Sequence, residues 1–245
     1  MLSSSTGVFG SQGVAFFVVI AMAASAVNAQ SNDALLSILD AQGDLTVRND
    51  LNARVALQIE LARRNPDELN TVLTHWLNTN PPNEAIASVL ESTDGAVPSI
   101  DAALLSGALS VQPSFETSYR LLRGPSSLSK QPSFVEFVKT AQRADPWMLR
   151  AKALSWATNV AAVDVEKALS DPYPRVRMAA IDQLATQPLT DSRIVDIATI
   201  ARRDPWPMVR AQAVTSLRRT ERGTPIVFAG VDDPSRIVRT AAIGA

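Results

Sequence analysis

Apolar residues recur at helical spacing over most of this chain. After Asp171 they fall five, nine, ten and thirteen residues on, and the same offsets hold after Asp204. The two sets are Val176, Ala180, Ile181 and Leu184, and Val209, Ala213, Val214 and Leu217. This spacing places them on one face of an amphipathic helix. No segment alternates convincingly with period two, so we predict an all-α protein without a sheet.

The stretch that begins at Asp171 occurs four times. Its copies start at Asp145, Asp171, Asp204 and Asp233, in steps of 26, 33 and 29 residues, and steps of this size are typical of solenoid repeats. Pro follows the Asp in every copy, which predicts a helix with the Asp as N-cap and the Pro at its first position. A shorter helix is expected before each of these helices. The four shorter helices are predicted at 133–143, 161–170, 190–202 and 224–231.

An arginine lies six residues after the Asp in three of the copies, as Arg177, Arg210 and Arg239. Six residues turn a helix by roughly 240°, so each Arg is poorly placed to pair with its own Asp. We expect Arg177 and Arg210 to pair with the Asp of an adjacent repeat instead. In the first copy Arg150 lies only five residues after Asp145, which leaves its partner open.

The shared pattern, D-P-x-x-x-V-R-x-x-A-[IV], resembles the second helix of HEAT repeats, especially the bacterial HEAT-like kind also seen in phycobilin lyases. The resemblance covers about residues 130–245 and implies an armadillo/HEAT-like α-solenoid, a superhelix of antiparallel helix pairs. It also implies a ladder of ion pairs along the repeats. The residues that match the ladder are Asp171, Arg177, Asp204, Arg210, Asp233 and Arg239.

The region 30–124 is also helical by periodicity. Helices are expected near 33–39, 47–64, 66–77, 84–91, 100–109 and 113–122, and Asn65 with Glu68 marks the start of the third. Residues 44–48 faintly echo the repeat, so divergent repeats are one interpretation of this half. Gly124-Pro125-Ser126-Ser127-Leu128-Ser129 is the best candidate for a boundary. A capping box at Ser133 and Glu136 predicts a helix start just beyond it.

Charge also changes at this boundary. Residues 30–127 hold 12 acidic and 6 basic side chains, net −6, whereas residues 128–245 hold 12 acidic and 17 basic ones, net +5. The whole chain of 245 residues is nearly neutral. Hydrophobic residues make up 46% of it and aromatic residues only 5%, a balance that suits thin helical layers better than a deep β core.

Residues 1–29 have the composition of a secretory signal peptide. Val14–Val27 is an apolar run of 14 residues, short for a membrane span and suitable for the centre of a signal. Val27-Asn28-Ala29 predicts cleavage before Gln30. No Lys or Arg precedes the run, so an uncleaved membrane anchor at residues 8–27 and a misassigned start both stay open. The prediction is export to a periplasmic or extracellular location.

Catalytic and metal-binding patterns are nearly absent from the sequence. There is no Cys, and His75 is the single imidazole. We find no carboxylate cluster at ligand spacing, no nucleophile elbow and no glycine-rich phosphate loop. We therefore predict neither a catalytic residue nor a metal or other cofactor.

Two sets of side chains could bind a partner. Trp147, Tyr173 and Trp206 each lie two residues after the Asp of their repeat, which would line them up along one edge of a stack; each ring could instead pack on the preceding helix. Arginines form the second set, and they could contact an acidic protein, contact phosphates or simply be solvated. They are Arg202, Arg203, Arg218 and Arg219, with Arg222 nearby.

The last repeat has no successor in this sequence. Gly244 is expected to end the helix that begins at Asp233. Val238, Ala242 and Ile243 should face inward, whereas Ile237 should be exposed. We expect this repeat to contact a partner or a second copy of the chain.

The sequence as a whole favours an exported, non-catalytic scaffold that binds a protein. A lyase-type enzyme or enzyme accessory is the first alternative, because the HEAT-like pattern also occurs in such lyases. Phosphate or nucleic-acid binding through the arginines is the second alternative and conflicts with export. Membrane association is expected only if the N-terminal segment stays uncleaved.

Overall fold

The computed structural model describes residues 32–40, 42, 47–93, 98–186 and 188–244. Helices make up the regular structure of these residues, and no strand occurs among them. The prediction of an all-α protein is therefore confirmed. The first seven helices are α1 (Asn32–Asp40), α2 (Val47–Arg63), α3 (Pro66–Leu77), α4 (Asn83–Thr93), α5 (Pro98–Ala108), α6 (Phe115–Leu121) and α7 (Pro132–Ala141). The other seven are α8 (Trp147–Leu154), α9 (Val165–Ala168), α10 (Pro174–Ala185), α11 (Asp191–Arg203), α12 (Pro207–Leu217), α13 (Thr224–Ala229) and α14 (Arg236–Ile243).

The even-numbered helices form one continuous row. Helix α2 packs on α4, α4 on α6, α6 on α8, α8 on α10, α10 on α12 and α12 on α14. The helices of the four sequence repeats, α8, α10, α12 and α14, are thus the second part of a row that begins in the N-terminal half. Among the odd-numbered helices, α1 packs on α3 and α3 on α5.

Small residues at equivalent positions let the row helices approach closely. Ala153, Ala180, Ala213 and Ala242 are all buried. Gly230, in a short 3-10 helix (Gly230–Asp232), lies so near α12 and α14 that an added Cβ would contact Val214 and Ala242. One contiguous core of buried side chains extends from Leu35 in α1 to Ala242 in α14.

The segment at 124–130 is packed rather than extended. Ser126–Lys130 forms a 3-10 helix that contacts both α5 and α7, and Leu128 is fully buried. The Ser127 hydroxyl donates a 2.6 Å hydrogen bond to the buried carboxylate of Asp101. Farther along the chain, the Trp156 indole N–H donates to the carbonyl of Leu122 at 3.0 Å. These contacts join the two halves of the described chain.

The predicted starts of helices α7 and α9 differ from the structure. Helix α7 has Gln131 as its N-cap and Pro132 at its first position, so Ser133 lies inside the helix and the predicted capping box is wrong. Helix α9 is confined to Val165–Ala168, not 161–170, because the Asp164 side chain accepts the Lys167 N–H and starts the helix there. At α3 the prediction is confirmed, since the Asn65 side chain accepts the Glu68 N–H at 2.9 Å.

The predicted signal or anchor, residues 1–29, lies outside the described residues. Within the described ranges, no helix combines the length and the apolar character that crossing a membrane requires.

Candidate partner-binding edge

In three of the four repeats, at Asp171, Asp204 and Asp233, the Asp side chain organises the turn before the helix. The carboxylate of Asp171 accepts the Tyr173 N–H at 2.8 Å, and Asp204 accepts the Trp206 N–H at 2.9 Å. Helices α10 and α12 begin only after these turns, at Pro174 and Pro207. The prediction that the Asp is the N-cap is therefore wrong. The Asp instead closes a turn that precedes the helix, an arrangement typical of Asp and Asn.

The same carboxylates accept an arginine from the preceding row helix. Arg177 donates from Nε and Nη2 to the two oxygens of Asp204, at 2.7 and 2.8 Å. Arg210 bonds Asp233 in the same way, with both distances at 2.9 Å. The spacing had predicted these two contacts. Arg150, whose partner the shorter first copy left open, bonds Asp171 at 2.8 and 3.0 Å.

Each of these guanidinium groups also binds its own turn. Nη1 of Arg177 donates to the carbonyl oxygens of Asp171 and Pro172, and Nη1 of Arg210 donates to that of Asp204. One arginine thus fastens the turn before its helix to the next turn in the row. Such two-pronged, charge-assisted contacts are among the stronger hydrogen bonds in proteins. Of the three ladder pairs, Arg177–Asp204 is the most deeply buried, with side chains 9% and 5% exposed.

The contacts shift the pKa of the ladder groups. Burial acts to raise the pKa of the Asp171 carboxyl, but the hydrogen bonds from Arg150 and from the Tyr173 N–H, with the nearby arginine charges, bring it below its usual value. The hydrogen bond from Arg210 is the main reason that the pKa of Asp233 is also lowered. The same bonds raise the pKa of Arg150 and Arg210.

These lowered values predict a loss of stability in acid. A carboxyl with a lowered folded-state pKa stabilises the fold above its unfolded pKa, about 4, and that stability disappears as the pH falls through the folded pKa. We expect the free energy of unfolding to fall more steeply from about pH 5 to pH 3 in the wild type than in an Asp171→Asn, Asp233→Asn double variant. Asn keeps the turn hydrogen bond and does not titrate. Parallel pH profiles in urea denaturation would contradict this assignment.

Large apolar side chains are exposed beside these turns. Trp147 is half-buried and stacks on Tyr173, with 4.5 Å between ring centroids and 13° between ring planes, and the Arg175 guanidinium lies 6.0 Å from the Trp147 centroid. Trp206 is 54% exposed and has no ring neighbour among the described aromatics. We define the apolar edge as Trp147, Met148, Tyr173, Trp206, Met208 and Ile237, all but Trp147 exposed.

The apolar edge lies on successive turns and helix starts that the Arg–Asp ladder joins. Tyr173 and Trp206 lie in the turns before α10 and α12, and the other members lie in the first turns of α8, α12 and α14. The rings of Trp147 and Tyr173 contact each other directly. The alternative, in which each ring packs only on the preceding helix, does not predict this contact.

The arginine set is divided by the structure. Arg202 and Arg203 end α11, beside the Asp204 turn and the start of α12. Arg218 and Arg219 follow the C-terminal end of α12, which is 11 residues long. A helix of that length separates the two pairs by roughly 16 Å. Arg222 pairs with Asp191. Of this arginine set, only Arg202 and Arg203 therefore lie near the apolar edge.

In the N-terminal half, different ion pairs join the row. Glu91 of α4 accepts Arg123 at 3.0 Å and lies 3.7 Å from Arg120. Here the acid belongs to the earlier helix and the arginines follow, the reverse of their roles in the ladder. These residues were not predicted from the sequence, since no repeated motif marks them.

In the described part of the chain, two clefts between helices are lined by charged side chains that form no recognisable catalytic set. These clefts, of about 540 and 450 Å³, share Asp164; Lys167 lines the first and Arg193 the second. Within the described ranges no group of three His, Asp or Glu side chains is placed to hold a metal ion. His75 is exposed on α3.

Comparison of the chain with protein-family models, with curated proteins and with solved structures finds no match.

Proposed function

We propose that this chain is an exported α-solenoid of HEAT-like repeats that binds a protein partner along the apolar edge. The resemblance of the repeat motif, the side-by-side row of even-numbered helices and the Arg–Asp ladder support the solenoid architecture. In such a stack each repeat contacts its neighbours and presents an extended surface. The N-terminal half joins the same row and would be a set of divergent repeats.

One observation carries the binding function: the exposed Trp, Tyr and Met side chains are grouped on turns that the ladder holds in place. Soluble proteins seldom expose large apolar side chains in a continuous group unless it binds something. Trp, Tyr and Met are also enriched in protein interfaces, where buried aromatic anchors provide much of the affinity. Anchored turns lose little conformational freedom on binding, which favours affinity.

The charges around the edge indicate the kind of partner. Arg175, Arg202, Arg203 and Arg236 are exposed and have no ion-pair partner among the described residues. Exposed carboxylates nearby are fewer, at Asp145 and Asp232. A partner segment with apolar side chains and an excess of Asp and Glu fits this surface best. Phosphate binding is less favoured, because the arginines of that alternative are split between the two ends of α12.

A double substitution, Trp206→Ser with Met208→Ser, should weaken partner binding at least about 30-fold, the effect of losing about 2 kcal/mol at an interface anchor. The partner is first identified with a photo-crosslinking residue at position 206, expressed in the native host. It is then purified, and its Kd is measured by titration.

Position 195 provides the matched control. Val195 is 62% exposed on α11 and outside the edge, so Val195→Ser should leave the Kd unchanged. Capture of the same protein from position 195 as efficiently as from 206, or a Kd of the double variant within twofold of wild type, would refute binding at this edge.

A further inference from the structure

The short helix α9 leaves space between its neighbours. It holds only four residues, whereas α11, the corresponding helix of the next repeat, holds 13. It packs mainly on α10, and a cleft of about 540 Å³ lies between it, the end of α7, the helix α8 and the Asp171 turn. We call this space the α9 cleft. Its volume is within the range of small-molecule sites, about 300–1,000 Å³.

The lining of the α9 cleft carries an excess of positive charge. Arg150 and Asp171 both line it, but they bond each other in the ladder. Of the remaining lining residues, three are basic and one is acidic, a net charge of +2. The basic ones are Lys139, Arg143 and Lys167, and the acidic one is Asp164.

Two of these cations are uncommitted. Arg143 and Lys167 are exposed and have no ion-pair partner within the described ranges. Lys139 pairs with Glu136, whose side chain is 71% exposed, and such exposed pairs are weak. Asp164 is held as the N-cap of α9, where its carboxylate accepts the Lys167 N–H at 2.9 Å. An anion in the cleft would therefore meet cations on α7 and on α9 that no carboxylate holds firmly.

The inner wall of the cleft is apolar. Leu154 and Val176 line it and are each 1% exposed, and the half-buried Ala168 lies beside them in the lining. An apolar group of a ligand would be removed from water against this wall. An apolar wall with a few charged groups at its margin is the usual composition of a small-molecule site.

We propose that the α9 cleft binds a small phosphate monoester that carries an apolar group. The phosphate lies between Arg143, Lys139 and Lys167, and the apolar group lies against Leu154 and Val176. A phosphate monoester carries close to two negative charges at neutral pH, which matches the net charge of the lining. Arginine and lysine are the side chains that bind phosphate oxygens best.

This site is separate from the proposed protein contact. No lining residue of the α9 cleft belongs to the apolar edge or to the arginine set of α11 and α12. The substitutions Trp206→Ser and Met208→Ser should therefore leave ligand binding in the cleft unchanged, so the two proposals can fail separately.

Hexyl phosphate is the probe, titrated into the isotope-labelled full chain and followed by the amide chemical shifts. We expect saturable changes in residues 139–143 and 162–171, with a Kd of about 1 mM or tighter, an ordinary affinity for a ligand of this size. Three compounds each lack one feature: hexanol has no charge, hexanesulfonate has one negative charge, and inorganic phosphate has no apolar group. Each should bind at least fivefold more weakly than hexyl phosphate.

Four variants identify the site. Arg143→Gln and Lys167→Gln should each raise the Kd of hexyl phosphate at least fivefold, and neither side chain is buried, so the fold should be retained. Ala162 is exposed and lines the cleft, so Ala162→Trp should fill the space and raise the Kd at least tenfold without a change of charge. Lys130 is exposed and outside the cleft, so Lys130→Gln should leave the Kd within twofold of wild type.

Sedimentation with vesicles of phosphatidylcholine and phosphatidic acid distinguishes the two sources of such a phosphate. Binding to these vesicles that hexyl phosphate displaces, and that Arg143→Gln weakens, would assign the phosphate monoester to a lipid; no binding to them, with hexyl phosphate bound in the cleft, would assign it to a soluble compound.

Three results would overturn the proposal. The first is the absence of saturable binding of hexyl phosphate. The second is binding that Arg143→Gln, Lys167→Gln and Ala162→Trp all leave unchanged. The third is a set of shift changes confined to helices that do not line the cleft.

Discussion

Replacing Arg177 by Gln will lower the free energy of unfolding by about 3–5 kcal/mol, the usual effect of removing one partner of a buried ion pair. The Asp204 carboxylate would stay buried without its counter-charge, and the carbonyls of Asp171 and Pro172 would lose their donor. Gln cannot supply the two parallel N–H groups that match the carboxylate. Urea denaturation followed by circular dichroism measures the loss.

Two further variants show whether the uncompensated charge of Asp204 causes the loss of stability in Arg177→Gln. Arg193→Gln breaks an exposed pair with Glu166, whose carboxylate is 60% exposed, and should cost no more than about 1 kcal/mol. Arg177→Met combined with Asp204→Asn removes both charges and keeps an acceptor for the Trp206 N–H. This double variant should be more stable than Arg177→Gln. If the double variant is less stable than the wild type by the sum of the losses caused by the two single substitutions, the pair stabilises the fold for another reason.

Replacing Phe134 by Ala will lower the free energy of unfolding by about 3–5 kcal/mol as well, because a large side chain is removed from a closed core and leaves a cavity. Phe134 is fully buried, and its ring lies 4.6 Å from that of Trp156 in an edge-to-face arrangement. Trp156 in turn donates to the Leu122 carbonyl. The cavity would therefore open where the N-terminal half meets the four sequence repeats.

Phe115→Ala is the matched control for this substitution. Phe115 stacks on Tyr119 but is 40% exposed, so its loss should have a much smaller effect, well under 2 kcal/mol. Thermal and urea denaturation of both variants provide the comparison. A loss below about 1 kcal/mol in Phe134→Ala would mean that this junction is not a packed part of the core.

The ladder was predictable because its chemistry repeats at a fixed offset. Spacing alone placed Arg177 and Arg210 away from their own turns and toward the next ones. The position of the Asp in its turn was not predictable in the same way. Asp can cap a helix or close a turn before it with similar hydrogen bonds, and only the backbone course from Asp204 to Pro207 distinguishes the two.

Other features could not be predicted from the sequence, because they depend on packing neighbours that no sequence pattern identifies. Ile243 has the same offset from its Asp as Val214, yet it is 71% exposed whereas Val214 is 1% exposed, because Gly230 approaches Val214 closely. The prediction that Ile243 faces inward is therefore wrong. Glu91 and Arg120 belong to no repeated motif, so their contact across the row could not be inferred. The continuity of the row from α2 onward likewise required the packing to be seen.

The proposed stack is tested most directly by amide hydrogen exchange of Arg177→Gln, compared helix by helix with the wild type. In a stack of repeats the loss of stability stays near the broken contact. We predict faster exchange in α11, α12 and α14, which follow the broken Arg177–Asp204 contact, and unchanged exchange in α3 and α4. An equal acceleration in every helix would contradict the account, because it would mean that the chain unfolds as one cooperative unit rather than as stacked repeats.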